Sequence, residues 1–183
     1  MLVEAGDHVH SFGWIGVPIE GAQKKMLLSI ANKIDKEDLF EEDDDTGIEE
    51  DSHVTVLYGV HDNQNDKVKA LLEPVFKMDA ELVELHIFEN EKYDVLVVKV
   101  ESEDLKALND RLKKSLKYTN DYPEYKAHAT VAYLKSGKGK KYIKDFKKVD
   151  YAFDRIFYNN SDNTYELDID LKKNDIDEML KGI

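Results

Sequence analysis

The feature that most constrains this chain is a six-residue pattern that occurs twice. Residues 53–58 read HVTVLY and residues 128–133 read HATVAY, so the segments agree at histidine, threonine, valine and tyrosine. This alternation of polar and apolar residues is typical of strands with one buried face. Because residues i and i+2 of a strand point to the same side, each histidine is predicted to lie beside a threonine. The repeat therefore predicts two neighbouring strands about a pseudo-twofold axis, which line one cleft with four polar side chains.

The remaining hydrophobic patterns predict strands and helices that alternate along the chain. Apolar residues at helical spacing predict helices, and short β-branched or aromatic runs predict strands. The predicted elements are a strand at 10–19, a helix at 22–34, a strand at 52–60, a helix at 64–76, paired strands at 82–88 and 93–100, a helix at 103–116 with Ser102 as its N-cap, a strand at 126–134, a short helix around 142–146, a hairpin of 151–158 with 164–170, and a terminal helix at 174–180. This order favours an α+β fold, with one domain over residues 1–183.

Residues 35–51 form an acidic stretch that contains the run EEDDD at 41–45. A calcium-binding loop needs alternating oxygen ligands, a glycine and a terminal glutamate in a fixed register. The stretch lacks that register, and runs of like charge are usually exposed. A solvated acidic loop is therefore predicted at 35–51.

The composition limits the class of protein. Hydrophobic residues make up 42% and charged residues 36%, which is typical of a soluble globular chain. The absence of cysteine excludes disulfides, thiol nucleophiles and cysteine-based zinc sites, and it fits a reducing compartment. No apolar run approaches the roughly 20 residues of a membrane helix, and the N-terminus does not resemble a secretory signal. We therefore expect a cytoplasmic protein with no membrane partner.

The formal net charge of −13 restricts the size of a nucleic-acid partner. Proteins that hold long nucleic acids gain most of their affinity from lysine and arginine on phosphates. An acidic chain repels a long polyanion, so no long nucleic acid is expected as a partner. A small ligand that carries phosphate is compatible with this net charge, because a few cations in a pocket outweigh the repulsion from distant acidic residues.

The paired side chains suit transesterification or hydrolysis at phosphorus. One of His53 and His128 would take a proton from the attacking oxygen while the other gives a proton to the leaving oxygen. Thr55 and Thr130 would donate to the non-bridging oxygens. The scheme needs no cofactor. A histidine-based metal site is disfavoured, because no carboxylate stands two or four residues after either histidine.

Paired His-x-Thr-x motifs on related strands resemble the two-histidine (2H) phosphoesterase superfamily. Within it, the wording HVTVLYG at 53–59 is most similar to the phage anti-CBASS cyclic-oligonucleotide phosphodiesterases. The resemblance extends from the first strand to about Asp170. It implies a bilobal fold, with two pseudo-symmetric lobes of mixed or antiparallel sheet and helices outside. A phage protein of this group would act in the host cytosol.

The resemblance also implies roles for the matching residues. His53 and His128 take the acid and base positions, and Thr55 and Thr130 take the phosphate-contacting positions. For a 3′,5′-linked cyclic nucleotide, the adjacent ribose 2′-OH would attack phosphorus and give a 2′,3′-cyclic phosphate first. A near-symmetric pair does not decide which histidine is the base.

Several aromatic residues carry two interpretations. Trp14 and Phe12 are candidate substrate-binding residues, since an aromatic face stacks a nucleobase for about 1–3 kcal/mol; a place in the core is the alternative. Tyr58 and Tyr133 are expected on the strand face opposite the histidines, provided that the strands are regular, and so to be structural.

Three classes of function remain open on these patterns. The first is an enzyme that cleaves a small cyclic oligonucleotide. The second is a phosphodiesterase for 2′,3′-cyclic or 2′,5′-linked RNA or oligoadenylate, similar to the so-called RNA-ligase proteins, which would favour a basic channel. The third is a protein that sequesters nucleotides, for which two proton carriers have no use. A turnover assay separates the third class from the others, and a substrate panel separates the first two.

Overall fold

The structure is a computed structural model that describes residues 12–42, 46–120 and 124–172. Those residues contain eight strands and three α-helices. In chain order they are β1 Gly13–Pro18, α1 Gly21–Ala31, β2 His53–Val60, α2 Asn65–Leu72, β3 Met78–Glu89, β4 Tyr93–Glu101, α3 Glu103–Ser115, β5 His128–Lys135, β6 Val149–Phe153, β7 Arg155–Asn159 and β8 Glu166–Asp170. Short 3-10 turns occupy Lys36–Asp38 and Gly139–Tyr142.

All eight strands belong to one antiparallel sheet, in the order β6-β3-β4-β5-β2-β1-β7-β8. The two strands that begin with the repeated histidines, β2 and β5, lie side by side at its centre. The sheet therefore divides between β5 and β2 into two halves of four strands each, β5-β4-β3-β6 and β2-β1-β7-β8, with matching strand positions. The predicted α+β fold with two pseudo-symmetric lobes is confirmed.

The two halves meet over a short distance only. β2 and β5 pair at Val54 and Ala129. Beyond this point, a segment around Leu39 and Ile48 pairs with β5, and Tyr118 pairs with the end of β2. These inserted segments take up the hydrogen-bonding edges of the two strands, and a cleft opens where the strands separate.

The core lies under the face of the sheet opposite the repeated histidines and threonines. Val54 and Ala129 are fully buried there, and helix α3 contributes Leu105 and Leu112, also fully buried. The predicted N-cap is confirmed, because the Ser102 hydroxyl accepts a hydrogen bond from the Leu105 backbone N–H at 3.2 Å. In the described part of the chain, no helix has the length and apolar content needed to cross a membrane.

Several predicted boundaries differ from the structure. The strand predicted at 151–158 is two strands, β6 and β7, which are separated by Asp154 and belong to opposite halves of the sheet. The short helix predicted at 142–146 is instead a 3-10 turn at Gly139–Tyr142, and α2 already ends at Leu72. The terminal helix predicted at 174–180 lies outside the described residues.

The acidic stretch at 35–51 is described except for residues 43–45. Glu41 and Glu42 are exposed, whereas Leu39 is only 5% exposed and pairs with Leu134 of β5. The stretch thus has solvated carboxylates between apolar residues that attach it to the sheet, but Asp38 departs from the predicted solvated loop, because it is buried and pairs with Lys141.

Candidate active site

The junction of β2 and β5 brings the four predicted side chains together. Val54 is paired with Ala129 in antiparallel register. Continuing this register places His53 opposite Thr130 and Thr55 opposite His128, with Cα separations of roughly 4.5–5.5 Å. Opposite residues of an antiparallel pair point to the same face, so both histidines and both threonines share one side of the sheet.

Each motif strand carries a bulge at the same position. On β2, Leu57 pairs with Ile15 but Thr55 pairs with Gly16, so Val56 is an extra residue. On β5, Ala132 pairs with Leu96 and Thr130 with Val97, which makes Val131 the extra residue. A bulge shifts the alternation of side chains by one position and is frequent next to active sites. The two lobes therefore repeat a backbone irregularity as well as a motif.

The bulges turn the motif tyrosines to the same face as the histidines. Trp14 is opposite Tyr58 and lies two residues from Gly16, the partner of Thr55. Tyr58 consequently shares the face of Thr55, and Tyr133 shares the face of Thr130 by the same reasoning on β4. Both tyrosines were expected on the opposite face on the condition that the strands are regular. Both strands contain a bulge, so this condition is not met and the tyrosines lie on the histidine face.

The two histidine rings are held in matched ways. The Nδ1 of His53 is 3.0 Å from the Asp51 carbonyl oxygen, and the Nδ1 of His128 is 2.7 Å from the Lys126 carbonyl oxygen. A carbonyl can only accept, so each Nδ1 carries the proton and donates it. In each neutral ring Nε2 then holds the lone pair, which is the group that can take or later give a proton.

The surroundings of the two rings differ. His53 is 8% exposed and contacts Trp14 and Phe157, with ring centroids 4.9 and 6.0 Å away. Its Nε2 is buried and has no hydrogen-bond partner among the described residues. His128 is partly exposed and contacts the ring of Phe88 at 4.9 Å. The two histidines thus have matching backbone positions, but they differ in their exposure to solvent.

A cleft of about 620 Å³ opens beside Thr55 and His128. Its aromatic lining consists of Tyr58, Phe88, Tyr93 and Tyr125. Tyr58 belongs to the first motif, whereas Phe88, Tyr93 and Tyr125 lie outside both motifs and reach the cleft only because of where their strands and loops lie in the fold. Other residues at the cleft include Val56, Leu57, Ile87, Glu89, Asn90, Val95, Asn109, Lys113, Asn120, Glu124 and Lys126.

The sequence also matches a family model. The model of the anti-CBASS protein Acb1 matches residues 23–174, which is most of the chain and includes both histidine motifs. This chain belongs to the Acb1 family. No curated protein matches the sequence significantly.

Solved structures similar to this Acb1-family protein show the same fold. They include a crystal structure of a phosphoesterase (TM-score 0.55, 11% identity). Escherichia coli LigT is also similar, in its apo form (TM-score 0.51, 13% identity) and in complex with 3′-AMP (TM-score 0.55, 11% identity). Each alignment covers 88% of this chain and 98% of the other. With the family match, they make this Acb1-family protein a phosphodiesterase of the 2H type.

The two substrate-binding candidates from the sequence lie apart from the cleft lining of the Acb1-family protein. Trp14 is 6% exposed, and its ring packs at 4.9 Å from His53 and 4.7 Å from Phe157. Phe12 stacks on His61 with centroids 5.3 Å apart. Neither residue is among those that line the cleft in the described structure. Base stacking by either ring stays a prediction.

Within residues 12–42, 46–120 and 124–172, no three or more His, Asp or Glu side chains cluster closely enough to hold a metal ion. The polar groups that line the cleft are one imidazole, hydroxyls, amides, carboxylates and lysine ammonium groups.

Proposed function

We propose that this protein cleaves cyclic oligonucleotide second messengers in the cytoplasm of the host cell, using His53 and His128 as acid and base and no metal ion. The observation that carries the proposal is the pair of His-Thr motifs on adjacent antiparallel strands. In both, a backbone carbonyl engages Nδ1 and leaves Nε2 for proton transfer. A binding protein would have no need for two rings prepared in this way.

The reaction follows from the groups at the junction. One imidazole accepts the proton of the ribose 2′-OH, whose oxygen attacks the adjacent phosphorus. The bond from phosphorus to the 5′ oxygen breaks, and the other histidine, in its protonated form, gives a proton to that oxygen. Thr55 and Thr130 donate hydrogen bonds to the non-bridging oxygens as their charge grows. The products are a 2′,3′-cyclic phosphate and a free 5′-hydroxyl.

The shape and lining of the cleft support a small nucleotide ligand. A volume of about 620 Å³ lies within the usual range for small-molecule sites. Tyr58, Phe88, Tyr93 and Tyr125 offer aromatic surface for nucleobases. LigT, which has the same fold, has been crystallised with 3′-AMP. The family description, anti-CBASS protein, also points to an immune signal as the substrate.

The alternative substrate is 2′,3′-cyclic or 2′,5′-linked RNA or oligoadenylate. The same pair of histidines would serve these linkages with a different nucleophile, which is the 3′-OH for a 2′,5′ linkage and water for a 2′,3′-cyclic phosphate. The net charge of −13 weighs against long RNA, because each phosphate outside the cleft meets an acidic surface. A compact ligand places few phosphates outside the cleft, so it is repelled less by the acidic surface. Its binding energy comes from contacts within the cleft.

The chemical proposal is tested by replacing each motif histidine. His53→Ala and His128→Ala are expected to lose most turnover, because each loses a proton carrier worth on the order of 10²–10⁴ in rate. Ligand binding should be largely retained, since the aromatic lining of the cleft is unchanged. His61→Ala, a histidine outside both motifs, serves as the matched control and should keep full activity. Undiminished turnover by the His128→Ala protein would contradict the scheme.

The substrate proposal is tested with a panel read by mass spectrometry. Cyclic di- and trinucleotides, 2′,5′-linked oligoadenylates and RNA ends are incubated with the protein in the presence of EDTA. Cleavage of the cyclic compounds with EDTA present is expected, with kcat/KM well above that for long RNA. Complete inhibition by EDTA would refute metal independence, and comparable kcat/KM for a cyclic dinucleotide and a long RNA would refute the preference.

A further inference from the structure

Two buried polar atoms at the cleft have no partner. Asn109 on α3 is 2% exposed, and Tyr125 lies in the segment that leads to β5. Both residues line the cleft together with Thr55 and His128. The Asn109 Oδ1 and the Tyr125 hydroxyl oxygen have no hydrogen-bond partner among the described residues. Native structures leave few buried polar atoms unpaired, so these two indicate a place where a polar ligand belongs.

A lysine on the same helix as Asn109 also lines the cleft. Lys113 is one helical turn after Asn109 on α3, a spacing that puts their Cβ atoms about 5–6 Å apart. Lys113 lines the cleft and is partly buried. It makes no ion pair or hydrogen bond with any described residue, whereas Lys126, also at the cleft, pairs with Glu124 at 3.5 Å. The ammonium group of Lys113 is partly buried and has no counter-ion among the described residues, although the chain has a net charge of −13. Such a group is suited to binding an anionic ligand.

The position of Asn109 connects this region to the reaction centre. Its Nδ2 donates a hydrogen bond of 2.6 Å to the carbonyl oxygen of Val56, the bulged residue that follows Thr55. The amide is therefore anchored to the motif strand, and its Oδ1 is the remaining acceptor. Burial raises the pKa of Tyr125, so its hydroxyl keeps the proton at neutral pH and can act as a donor.

We propose that Lys113 and Tyr125 bind the second, non-reacting phosphate of a cyclic oligonucleotide, and that Asn109 accepts a hydrogen bond from a hydroxyl or amino group of the same nucleotide. The assignment follows donor and acceptor chemistry. A phosphodiester has only acceptors at neutral pH, which match the ammonium and phenol groups, while an amide oxygen requires a donor from the ribose or base. This inference rests on the proposed function and specifies how the site selects substrates with two phosphates.

The test compares substrates with one and two phosphates. Kinetics are measured on cyclic di-AMP and on the linear dinucleoside monophosphate ApA with the wild type, Lys113→Gln, Lys113→Arg and Lys114→Gln. Lys114, in the same turn of α3 but exposed, is the matched control for effects on helix stability. For Lys113→Gln we expect KM for cyclic di-AMP to rise about tenfold, equivalent to about 1.4 kcal/mol. KM for ApA should be unchanged, and Lys113→Arg should recover most of the loss.

Tyr125→Phe provides a second variant, because it removes one unpaired oxygen and preserves the aromatic ring. A severalfold rise in KM for cyclic di-AMP, with ApA unaffected, is expected. Equal effects of Lys113→Gln on both substrates, or none on cyclic di-AMP, would overturn the subsite, as would an equal effect of Lys114→Gln.

Failure of the proposed function can be told apart from failure of the subsite. If the wild type cleaves none of the cyclic di- and trinucleotides of the panel, the proposed substrate class is wrong. Wild type and Lys113→Gln are then titrated with cyclic di-AMP by calorimetry. Binding about tenfold tighter by the wild type supports the subsite, whereas equal affinity, or no binding by the wild type, overturns it.

Discussion

The absence of a side chain at Gly16 is predicted to set the position of His53. Gly16 lies in β1 between Thr55 on β2 and Phe157 on β7. A Cβ atom at this residue would be 2.5 Å from Cζ of Phe157 and 3.0 Å from Cζ3 of Trp14. Both rings contact the His53 imidazole. Gly16→Ala should therefore disturb the histidine through the two aromatic rings.

The size of the effect follows from the contact distance. Ordinary van der Waals contact to a Cβ begins near 3.4 Å, so the Phe157 ring must retreat by 3.4 − 2.5 = 0.9 Å. A misplacement of about 1 Å near a reacting group can lower the rate by about 10²-fold. We expect kcat of Gly16→Ala to fall by roughly 10- to 100-fold with little change in KM. Overpacking at this site should also lower the free energy of unfolding by about 1–3 kcal/mol.

Steady-state kinetics and thermal denaturation of the same samples separate the two effects. Gly21→Ala is the control, because Gly21 has φ +63° and open space around it. It should lose about 1–2 kcal/mol of stability and keep its kcat. The double variant Gly16→Ala, Phe157→Leu lacks the clashing Cζ and tests whether that contact carries the effect. A folded Gly16→Ala protein with the kcat of the wild type would refute the coupling of these rings to His53.

Three further measurements test other parts of the molecule. Thr55→Ala or Thr130→Ala should lower kcat by on the order of 10²-fold if each hydroxyl stabilises the charged phosphate oxygens, and an unchanged kcat would exclude that role. Ser102→Ala should lower the free energy of unfolding by about 1 kcal/mol in urea denaturation, since it removes the N-cap of α3. Burial and the Lys99 ammonium hold the pKa of His86 below its usual 6.5, so below that pH the unfolded chain binds a proton that the folded chain does not. The free energy of unfolding should thus decrease as the pH drops below 6.5. His86→Gln should make the free energy of unfolding less dependent on pH in this range. Identical pH profiles for the wild type and His86→Gln would contradict this assignment.

The sequence was sufficient to predict the centre of the sheet. The repeat of His-x-Thr-Val at 53 and 128 predicted two related strands, and the structure pairs them at Val54 and Ala129. Ser102 was also recognisable as a helix N-cap from local sequence. These features depend on residues within a few positions of one another, where side-chain alternation and capping preferences act directly. The catalytic roles of the four motif residues stay a prediction that the experiments above address.

Local patterns could not predict which residues surround the motifs. Residues 151–158 read as one strand, yet the chain changes lobes at Asp154, because Phe153 pairs with Met78 and Arg155 with Asp170. That choice of partners depends on contacts far apart in sequence.

Only the folded sheet determines how the motif strands depart from regular geometry and what covers the histidines. The bulges at Val56 and Val131 exist because β1 and β4 pair with one residue fewer than the motif strands supply, and they turn Tyr58 towards the cleft. Trp14 could equally have been a stacking platform or a core residue from its sequence. It packs on His53 because Gly16 leaves room for the indole and for Phe157. Alternation along a strand is a local property, whereas register, bulges and ring packing are set by neighbouring strands that the local sequence does not specify.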